Sequence, residues 1–275
     1  MTRPILVNLG CGSTFHPDWL NLDVVSNSPL VKTVDLKKGI PLPAEMCEAV
    51  YHSHILEHFS GAEANTFIAD CYRVLAPGGI LRVVVPDLEG IARNYLITLE
   101  AVLAGKDPFG YDLAVADLYD QTVRSETGGT LGQLMRISDE AHRAIVLGRF
   151  GSEAEQLWNK ETPISNPSLT TRLIRKSRKI HFLCLLMLVR LLGGKGLANS
   201  FAEGVFRDSG EIHRWMYDQF SLGRLLGNHG FVNIKVCTSE QSRIPQFSRY
   251  ELDFKNGIVR KPDSMFMEGQ KEIRC

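Results

Sequence analysis

Near its start the chain has a short apolar run, Ile5–Leu9, that ends directly in Gly10-Cys11-Gly12. An apolar run that meets two glycines predicts a buried strand followed by a tight turn. Neither glycine has a side chain to block a ligand, so the backbone N–H groups of the turn are open to a polar or anionic group. Many ordinary turns share this pattern, and the residues that follow must decide whether it binds anything.

Short apolar runs alternate with a helical pattern along the first third of the chain. Further strands are predicted near 19–25, 31–36, 49–53 and 80–85, with a helix over 60–75. After residue 206, a helix over 218–229, a strand over 231–238 and a last strand near 249–254 complete the pattern. Strands that alternate with helices predict an α/β fold with a doubly wound, mostly parallel sheet.

Acidic residues end the second and third predicted strands. Asp23 follows Gly12 by eleven residues, and Asp35 ends the third strand. A carboxylate at the first of these places can accept hydrogen bonds from both hydroxyls of a ribose, and one at the second can meet an adenine amino group. Nicotinamide-binding folds usually have a third glycine, where this chain has Phe15, and an acid about 20 residues on. The spacing therefore favours an adenosyl cofactor without a pyrophosphate.

The N-terminal part of the chain resembles class I S-adenosylmethionine-dependent methyltransferases of the bacterial type 11 group. The matching stretches are VNLGCGS (7–13), NLDVV (21–25), VDLKKGIPLP (34–43), YHSHILEHFS (51–60), YRVLAPGGILRVVVPDL (72–88) and IHRWMYDQFSLGRLLGNHGF (212–231). Their order and spacing match the family from the first strand to the fifth, and the resemblance covers about half of the chain. It implies a Rossmann-like sheet of the seven-stranded type and S-adenosyl-L-methionine as the cofactor.

The resemblance also implies which residues contact this cofactor. They follow the first four predicted strands: Asn8, Gly10, Cys11, Gly12, Asp23, Asp35, Leu36, Ser53 and His54. The turn 10–12 is expected to line the methionine part, and Asp23 to hold the ribose. Residues 35–36 are expected to flank the adenine, and residues 53–54 to lie beside the sulfonium. Many members have an acid at the position of Asn8. Asn8 can accept a hydrogen bond from the cofactor's ammonium group but carries no charge.

Methyl transfer requires an aligned acceptor and, for a hydroxyl acceptor, removal of its proton. Open α/β sheets bind their ligands at the carboxyl ends of the strands. Titratable residues near those ends, or before the sixth strand, are His52, His54, His58, Asp87, His213 and Asp218. From this set we select His54, Asp87 and His213 as the catalytic candidates.

His54, Glu57 and His58 share one face of a helical turn, as metal ligands must. H-x-x-E-H is the zinc signature of one peptidase group, and some methyltransferase branches have a metal-binding E-x-x-E-H at this place. Members without a metal often keep the trailing Glu-His, with the histidine bonded to the backbone near the cofactor. We therefore expect a structural pair and no metal, with a metal site as the alternative.

Residues 89–206 lack strand-like runs and are interpreted as a helical insertion, or lid, between the fifth and sixth strands. The cofactor-binding half is then predicted at 1–88, the returning part of the sheet at 207–254, and a loosely packed tail at 255–275. Within the insertion, 119–129 is either a solvated helix end or a cover over the acceptor, with Arg124 meeting an anionic substrate.

Residues 162–202 contain seven Lys or Arg and no Asp or Glu. Arg172, Arg175, Lys176 and Lys179 fall on one helical face, and an apolar stretch follows them. The segment 168–194 is either a helical hairpin with a solvated basic face or a peripheral membrane contact. No aromatic residues interleave with these charges, so nucleic acid is not expected as a partner. The scattered cysteines and the absence of a leader pattern predict a cytoplasmic protein, either free or peripheral at the inner membrane face.

The sequence thus predicts a methyltransferase that acts on oxygen or nitrogen of a small molecule or a glycan, including a lipid-linked one. The alternative is a catalytically silent domain that keeps the fold as a binding or scaffold protein. The neutral Asn8 allows that alternative, whereas Asp23 and the two glycines argue against it.

Overall fold

The structure is a computed structural model that describes residues 5–26, 28–136, 139–159 and 169–273. Its strands are β1 (Ile5–Leu9), β2 (Leu20–Asp23), β3 (Val31–Thr33), β4 (Cys47–Ser53), β5 (Leu75–Pro86), β6 (Phe231–Cys237), β7 (Phe254–Lys255), β8 (Ile258–Val259) and β9 (Ser264–Lys271). Its helices are α1 (Gly61–Val74), α2 (Leu88–Leu103), α3 (Phe109–Val123), α4 (Gly129–Met135), α5 (Glu140–Phe150), α6 (Ser152–Asn159), α7 (Leu169–Arg207) and α8 (Gln219–Asn228).

Seven strands form one sheet in the order β3-β2-β1-β4-β5-β9-β6, and β7 pairs with β8 in a separate hairpin. The first five strands are parallel, while β9 runs antiparallel to both of its neighbours. This arrangement confirms the predicted fold class: a mostly parallel, Rossmann-like sheet with helices between its fifth and sixth strands.

The apolar residues of β5, which Arg82 interrupts, are buried on both faces of the sheet. Leu81 and Val83 belong to one hydrophobic core, whereas Ile80 and Val84 belong to a second. Alternate residues of a strand point to opposite faces, so the apolar residues of β5 contribute to two cores at once. β5 therefore lies in the interior of the sheet, and its carboxyl end is held firmly.

Helix α1 packs on the first of these cores and leads the chain from β4 to β5. Ser60 and Glu63 form a capping box at its start, which satisfies two of the free N–H groups there. Phe67, Ile68 and Cys71 are buried at helical spacing against the sheet. The predicted helix over 60–75 is confirmed to within one residue at each end.

The predicted last strand near 249–254 is wrong. A short 3-10 helix, Phe247–Tyr250, overlaps the first two residues of that range, and the last strand of the sheet is β9, inside the segment predicted as a loose tail. The error has a physical cause. β9 carries Glu268 and Lys271, whose charges suggest exposed positions, yet the two residues are only 0% and 3% exposed. Both can be buried because each has a partner: Glu268 pairs with Arg82, and the Lys271 ammonium group donates to backbone carbonyls.

The helices between β5 and α8 include a group with a small core of its own. Helices α3 to α6 contribute its buried members: Phe109, Leu113, Ala116, Leu131, Met135, Val146, Phe150 and Ala154. A satellite core of this kind allows the inserted segment to keep its shape without adding a strand to the sheet. The exact boundaries 89–206 stay a prediction.

Helix α7 bends sharply at Gly194, whose φ of 76° and ψ of −177° are not helical. The rings of Phe182 and Phe201 stack with their centroids 6.1 Å apart, so the two arms of α7 fold back on each other. Among the described residues, one helical stretch, Ile180–Arg207, is long and apolar enough to cross a membrane, with a mean hydropathy of 1.6. The bend divides it into arms of about 20 Å, shorter than the ~30 Å hydrocarbon layer.

Arg82 lies in the middle of β5 and is completely buried. Its guanidinium donates to the carboxylates of Asp253, at 2.7 Å, and Glu268, at 2.9 Å. It also donates to the backbone carbonyls of Gln241, Thr238 and Ser239. The five N–H groups of the side chain thus have five acceptors, which is the full capacity of an arginine.

We predict that Arg82→Met lowers the free energy of unfolding by about 3–5 kcal/mol, because two carboxylates are then buried without their cation. The matched control is Arg93→Met, which removes an exposed arginine 2.7 Å from Glu89 and should cost less than about 1 kcal/mol. Urea denaturation of both variants measures the difference. Equal losses in the two variants would refute the central role of Arg82.

Candidate functional site

The turn after β1 has the backbone geometry that the glycines predict. Gly10 and Gly12 have φ angles of +60° and +52°. A Cβ on Gly10 would lie 1.9 Å from the Cδ1 atom of Ile55, so a larger residue would have to displace that side chain and would be strained at this positive φ. The Gly10 N–H donates to the carbonyl of Leu22 on β2, which fixes the turn above the sheet edge. The turn therefore keeps its backbone exposed at the carboxyl ends of β1 and β2.

Asp23 ends β2 beside this turn. Its Oδ2 accepts a hydrogen bond of 2.8 Å from the N–H of Gly12, and its Oδ1 accepts one of 2.9 Å from Val25. A carboxylate has about four acceptor positions, so each oxygen can take one further donor. The bonds to the backbone fix the direction of the carboxylate and leave it able to receive the two hydroxyls of a ribose.

A cavity of about 260 Å³ lies against the turn and the end of β4. Six of the nine residues expected to contact the cofactor line it: Asn8, Gly10, Cys11, Gly12, Ser53 and His54. These residues come from two neighbouring parallel strands, β1 and β4, and from the turns after them. The structure thus gathers the residues expected around the methionine and the sulfonium into one place.

Asn8 is almost fully buried in the wall of the cavity. Its side-chain nitrogen donates to the carbonyl of Thr14 at 3.0 Å and to the Oδ1 atom of Asn21 at 3.3 Å. Both bonds hold the turn closed. The side-chain oxygen is therefore the atom of Asn8 that could serve a ligand, as an uncharged acceptor.

Asp35 and Leu36 do not line this cavity. They contribute to a second, larger cavity between the 3-10 helix Leu36–Lys38 and α1, together with Asp70 and Arg73. The Asp35 carboxylate caps the short helix by accepting from the N–H of Lys37. A bond from the N–H of Val34 to the carbonyl of Asp23 keeps the segment beside the ribose candidate.

Of the three catalytic candidates, only His54 lines the cavity in the described part of the chain. Its backbone is left-handed, with φ of +54°, and its N–H donates to the carbonyl of Val84 on β5. Such a conformation is costly for a residue with a side chain and is found where surrounding structure imposes it. Its ring lies between Ser264, 2.8 Å from Nε2, and Glu57, 3.3 Å from Nδ1.

Burial keeps the His54 ring neutral. Desolvation lowers its pKa well below 6.5, and the nearby charge of Lys261 acts in the same direction. A neutral imidazole has one nitrogen that can accept a proton and one that can donate. The lone pair of His54 is therefore available at neutral pH, although the lowered pKa makes the ring a weak base.

Asp87 and His213 are not among the residues that line the cavity. Asp87 caps α2 by accepting from the N–H of Glu89 at 3.1 Å, a structural use of its carboxylate. His213 is 7% exposed, and desolvation, aided by His58 and Arg124, lowers its pKa to about 3. Neither geometry supports a direct role in removing a proton from an acceptor.

His213 instead belongs to a compact cluster with Glu57 and His58. One ligand atom of each residue lies within 4.8 Å of the others. The rings of His58 and His213 meet edge to face, with centroids 4.8 Å apart. This cluster is the arrangement in the described residues that could hold a metal ion, and it includes a residue that the H-x-x-E-H spacing does not reveal.

Arg124, the predicted contact for an anionic substrate, donates to the backbone carbonyl of Glu211. Asp120, which could have paired with it, accepts instead from the N–H of Leu131 at 3.0 Å. The charge of Arg124 is nevertheless close enough to lower the pKa of both His58 and His213. A role of Arg124 toward a substrate stays a prediction.

The sequence analysis missed part of the cavity wall. Residues from the C-terminal segment and the insertion line it: Ser152, Leu252, Asp253, Arg260, Lys261 and Phe266. Asp253 is held there by the hydroxyl of Tyr51, at 2.6 Å, and by Arg82. Arg260 and Lys261 lie in the segment predicted as a loose tail, where no periodic pattern marks them as part of a site. The sign that this segment returns to the site is the burial of Asp253, which the structure shows and the sequence does not.

The comparisons with known proteins agree with this geometry. Residues 23–83 match the model of a family described as a methyltransferase domain. Residues 23–83 of this chain are therefore similar to a methyltransferase domain of the type 11 group. This match supports S-adenosylmethionine as the cofactor. No curated protein matches the chain.

Solved structures of several methyltransferases are similar at low identity. One, described as a possible histamine N-methyltransferase from Thermotoga maritima, is 12% identical, with 99% of this chain and 84% of that chain covered and a TM-score of 0.40. A methyltransferase from Archaeoglobus fulgidus is 10% identical, with coverages of 98% and 86% and a TM-score of 0.37.

A structure from Haloferax volcanii, a complex of the Trm112 activator with a methyltransferase, is 14% identical. It covers 30% of this chain, with a TM-score of 0.26, and this chain spans only 46% of its length. These three likenesses have TM-scores too low to carry any argument about function.

His52 is a candidate that the structure assigns to the core of the methyltransferase domain. It is fully buried, its ring meets Phe67 edge to face, and neither ring nitrogen has a hydrogen-bond partner among the described residues. Desolvation lowers its pKa from 6.5 to about 3. The unfolded chain therefore binds a proton more readily than the folded protein between these two pH values.

We predict that stability falls as the pH drops below 6.5, because protonation of His52 favours the unfolded state. Between pH 7 and pH 5 this residue alone should cost about 2 kcal/mol. In His52→Leu the loss over that interval should shrink by that amount, whereas the exposed control His229→Leu should keep the loss of the wild type. Urea denaturation at both pH values measures the change. An equal acid loss in His52→Leu and wild type would contradict the assignment.

Proposed function

We propose that the protein transfers the methyl group of S-adenosylmethionine to an oxygen or nitrogen atom of a small molecule or a glycan, including a lipid-linked one. The observation that carries this proposal is the cavity formed by the Gly10–Gly12 turn, Ser53 and His54, with the Asp23 carboxylate outside its lining but bonded to the N–H of Gly12. When bound, the cofactor supplies a methyl carbon that is already electrophilic because it is attached to a sulfonium.

The donor set of the site suits the cofactor. Gly10 carries no Cβ, so the methionine part can lie directly on the backbone of the turn. Asp23 keeps two acceptor positions for a ribose, and Asn8 offers an oxygen to an ammonium group. Asp35 and Leu36 stand at the next strand end, where adenine is expected. The uncharged Asn8 predicts a modest affinity.

His54 is our candidate for the residue that removes the acceptor's proton. If the Nδ1–H of His54 donates to the carboxylate of Glu57, the lone pair of the ring is on Nε2. This Nε2 then accepts a hydrogen bond from the Ser264 hydroxyl. A carboxylate that fixes the tautomer and orientation of a histidine is a recurrent device of acid–base sites. An acceptor in the cavity would reach this nitrogen or the serine hydroxyl bonded to it.

We predict that Asp23→Ala weakens the binding of S-adenosylhomocysteine at least tenfold. The variant loses two charge-assisted hydrogen bonds to the ribose, each of about 1.5–3 kcal/mol. Asp23→Asn keeps the shape and one acceptor oxygen, so its loss should be intermediate. Isothermal titration calorimetry measures all three affinities.

The matched control for this experiment is Asp208→Ala, which removes an exposed carboxylate that pairs with Arg214. It should leave the affinity unchanged. An Asp23→Ala protein that is folded, as judged by circular dichroism, and binds the ligand as tightly as the wild type would refute the ribose assignment.

We further propose that the protein is cytoplasmic and touches an anionic membrane surface through the segment 168–194. Two features support the contact. The arms of α7 expose large apolar side chains to solvent: Ile180, Leu183, Leu185, Met187, Leu188, Leu191, Leu192, Leu197 and Val205. Exposed cations, Lys176, Arg190 and Lys195, accompany them. An apolar face with basic residues at its border is typical of helices that lie on membranes.

The side chains of Arg172, Arg175 and Lys179 lie outside the described residues, so the predicted basic face rests on their sequence spacing. Reversal of these three and Lys176 to Glu should abolish co-sedimentation with anionic vesicles, because each cation contributes about 1 kcal/mol at such a surface. Binding by the wild type should fade toward 1 M salt, where the Debye length is about 3 Å. A wild type that ignores anionic vesicles at low salt would refute the contact.

The same assay can separate charge from apolar contact. Leu191 and Leu192 are 84% and 80% exposed, so their replacement by Ser should not disturb the fold. The double variant should lose affinity even at low salt, if the apolar face enters the headgroup region. Cofactor affinity, measured in parallel, should be unchanged in all of these variants.

A further inference from the structure

The cluster of Glu57, His58 and His213 is held together by backbone bonds from two distant segments. The N–H groups of Arg214 and Trp215 both donate to the carbonyl of Glu57, at 2.7 and 3.2 Å. The N–H of His213 donates to the carbonyl of Gln121 on α3. His213 is therefore fixed beside the 3-10 turn that carries Glu57 and His58, although 155 residues separate the two histidines.

The orientation of His58 leaves a nitrogen available to a ligand. Its Nδ1 lies 3.3 Å from the backbone carbonyl of Ile212. A carbonyl oxygen only accepts, so Nδ1 must carry the proton and Nε2 must carry the free lone pair. Histidines that bind metals almost always donate their other ring N–H to a carbonyl or carboxylate in this way.

His213 supplies a second, independent observation. The residue is 93% buried, and its Nδ1 has no hydrogen-bond partner among the described residues. Buried polar groups without a partner are rare in proteins, and each one calls for an explanation such as an ion. Its ring meets that of His58 edge to face, so a cation bound beside the two rings could provide a partner for this nitrogen.

The donor set fits a divalent transition metal. Two imidazoles and one carboxylate bind Zn²⁺ in several catalytic sites and Fe²⁺ in others. Ligand atoms that lie about 2.0–2.1 Å from a tetrahedral ion are about 3.4 Å apart. The three atoms here lie within 4.8 Å of one another, so side-chain rotations that move each atom by about 1 Å would bring them to the spacing of metal ligands.

We propose that Glu57, His58 and His213 bind one divalent transition-metal ion of the Zn²⁺ class. The site adjoins the cavity, because Glu57 also lies 3.3 Å from His54 in the cavity wall. The carboxylate offsets part of the charge of the ion, and the second Glu57 oxygen keeps its contact with His54. This proposal replaces the expectation of a purely structural Glu-His pair, which the spacing of residues 54–58 alone favours.

The test is metal binding by the purified full chain after dialysis against EDTA. Zn²⁺ affinity is measured in competition with a chromophoric chelator, and Co²⁺ is added separately because its visible absorption reports a low-coordinate nitrogen and oxygen site. The wild type should bind one equivalent of Zn²⁺ with a submicromolar dissociation constant. His58→Ala and His213→Ala should each weaken this binding at least about 100-fold and remove the Co²⁺ bands.

The matched control is His229→Ala, which removes an exposed histidine bonded to Asn65 on α1 and should bind like the wild type. Circular dichroism and thermal denaturation check the fold of each variant. If one of the two ligand variants does not fold, the other decides, because the residues lie on different segments. A wild type that binds no metal, or metal binding that survives in a folded ligand variant, would overturn the proposal. Survival would assign the ion to other groups, such as the exposed Cys184.

Discussion

A completely buried arginine holds the two halves of this sheet together. Arg82 stands in the middle of β5, and its partners Glu268 and Asp253 come from β9 and from the segment just before β7. Desolvating a guanidinium and two carboxylates is unfavourable unless every polar atom is satisfied. The antiparallel strand β9 and the loop after β6 must therefore close around β5 together. The charges specify this one arrangement, whereas hydrophobic burial alone would tolerate several.

The same charge cluster reaches the cavity. Asp253 is bonded to Arg82 on one side and to the Tyr51 hydroxyl on the other, and both Asp253 and Tyr51 line the cavity wall. The position of the C-terminal segment, with Arg260 and Lys261 facing the Gly10–Gly12 turn, thus depends on a contact in the core. The N-terminal strands supply the groups expected to hold the cofactor, and the C-terminal segment supplies the opposite wall. The two are joined through one arginine.

The sequence predicts the parts of this molecule that rest on local pattern. The runs of β1, β4 and β5, the cap and spacing of α1 and the glycines of the first turn are all legible, because each depends on residues close in the chain. β9 is not legible, since Glu268 and Lys271 look exposed until their distant partners are known. The contact of His213 with Glu57 and His58 cannot be predicted for the same reason, because no spacing rule relates His213 to residues 54–58. The acceptor side is the least predictable, because its walls come from three separate segments.

The position of β9 also affects how each new molecule folds during its synthesis. β9 lies between β5 and β6 in the sheet, yet roughly 180 residues separate it from β5 along the chain. At about 5–20 residues per second, the ribosome delivers β9 roughly 10–35 s after β5 is complete. During that interval the edge of a long apolar strand has no neighbour, and such edges recruit strands from other chains.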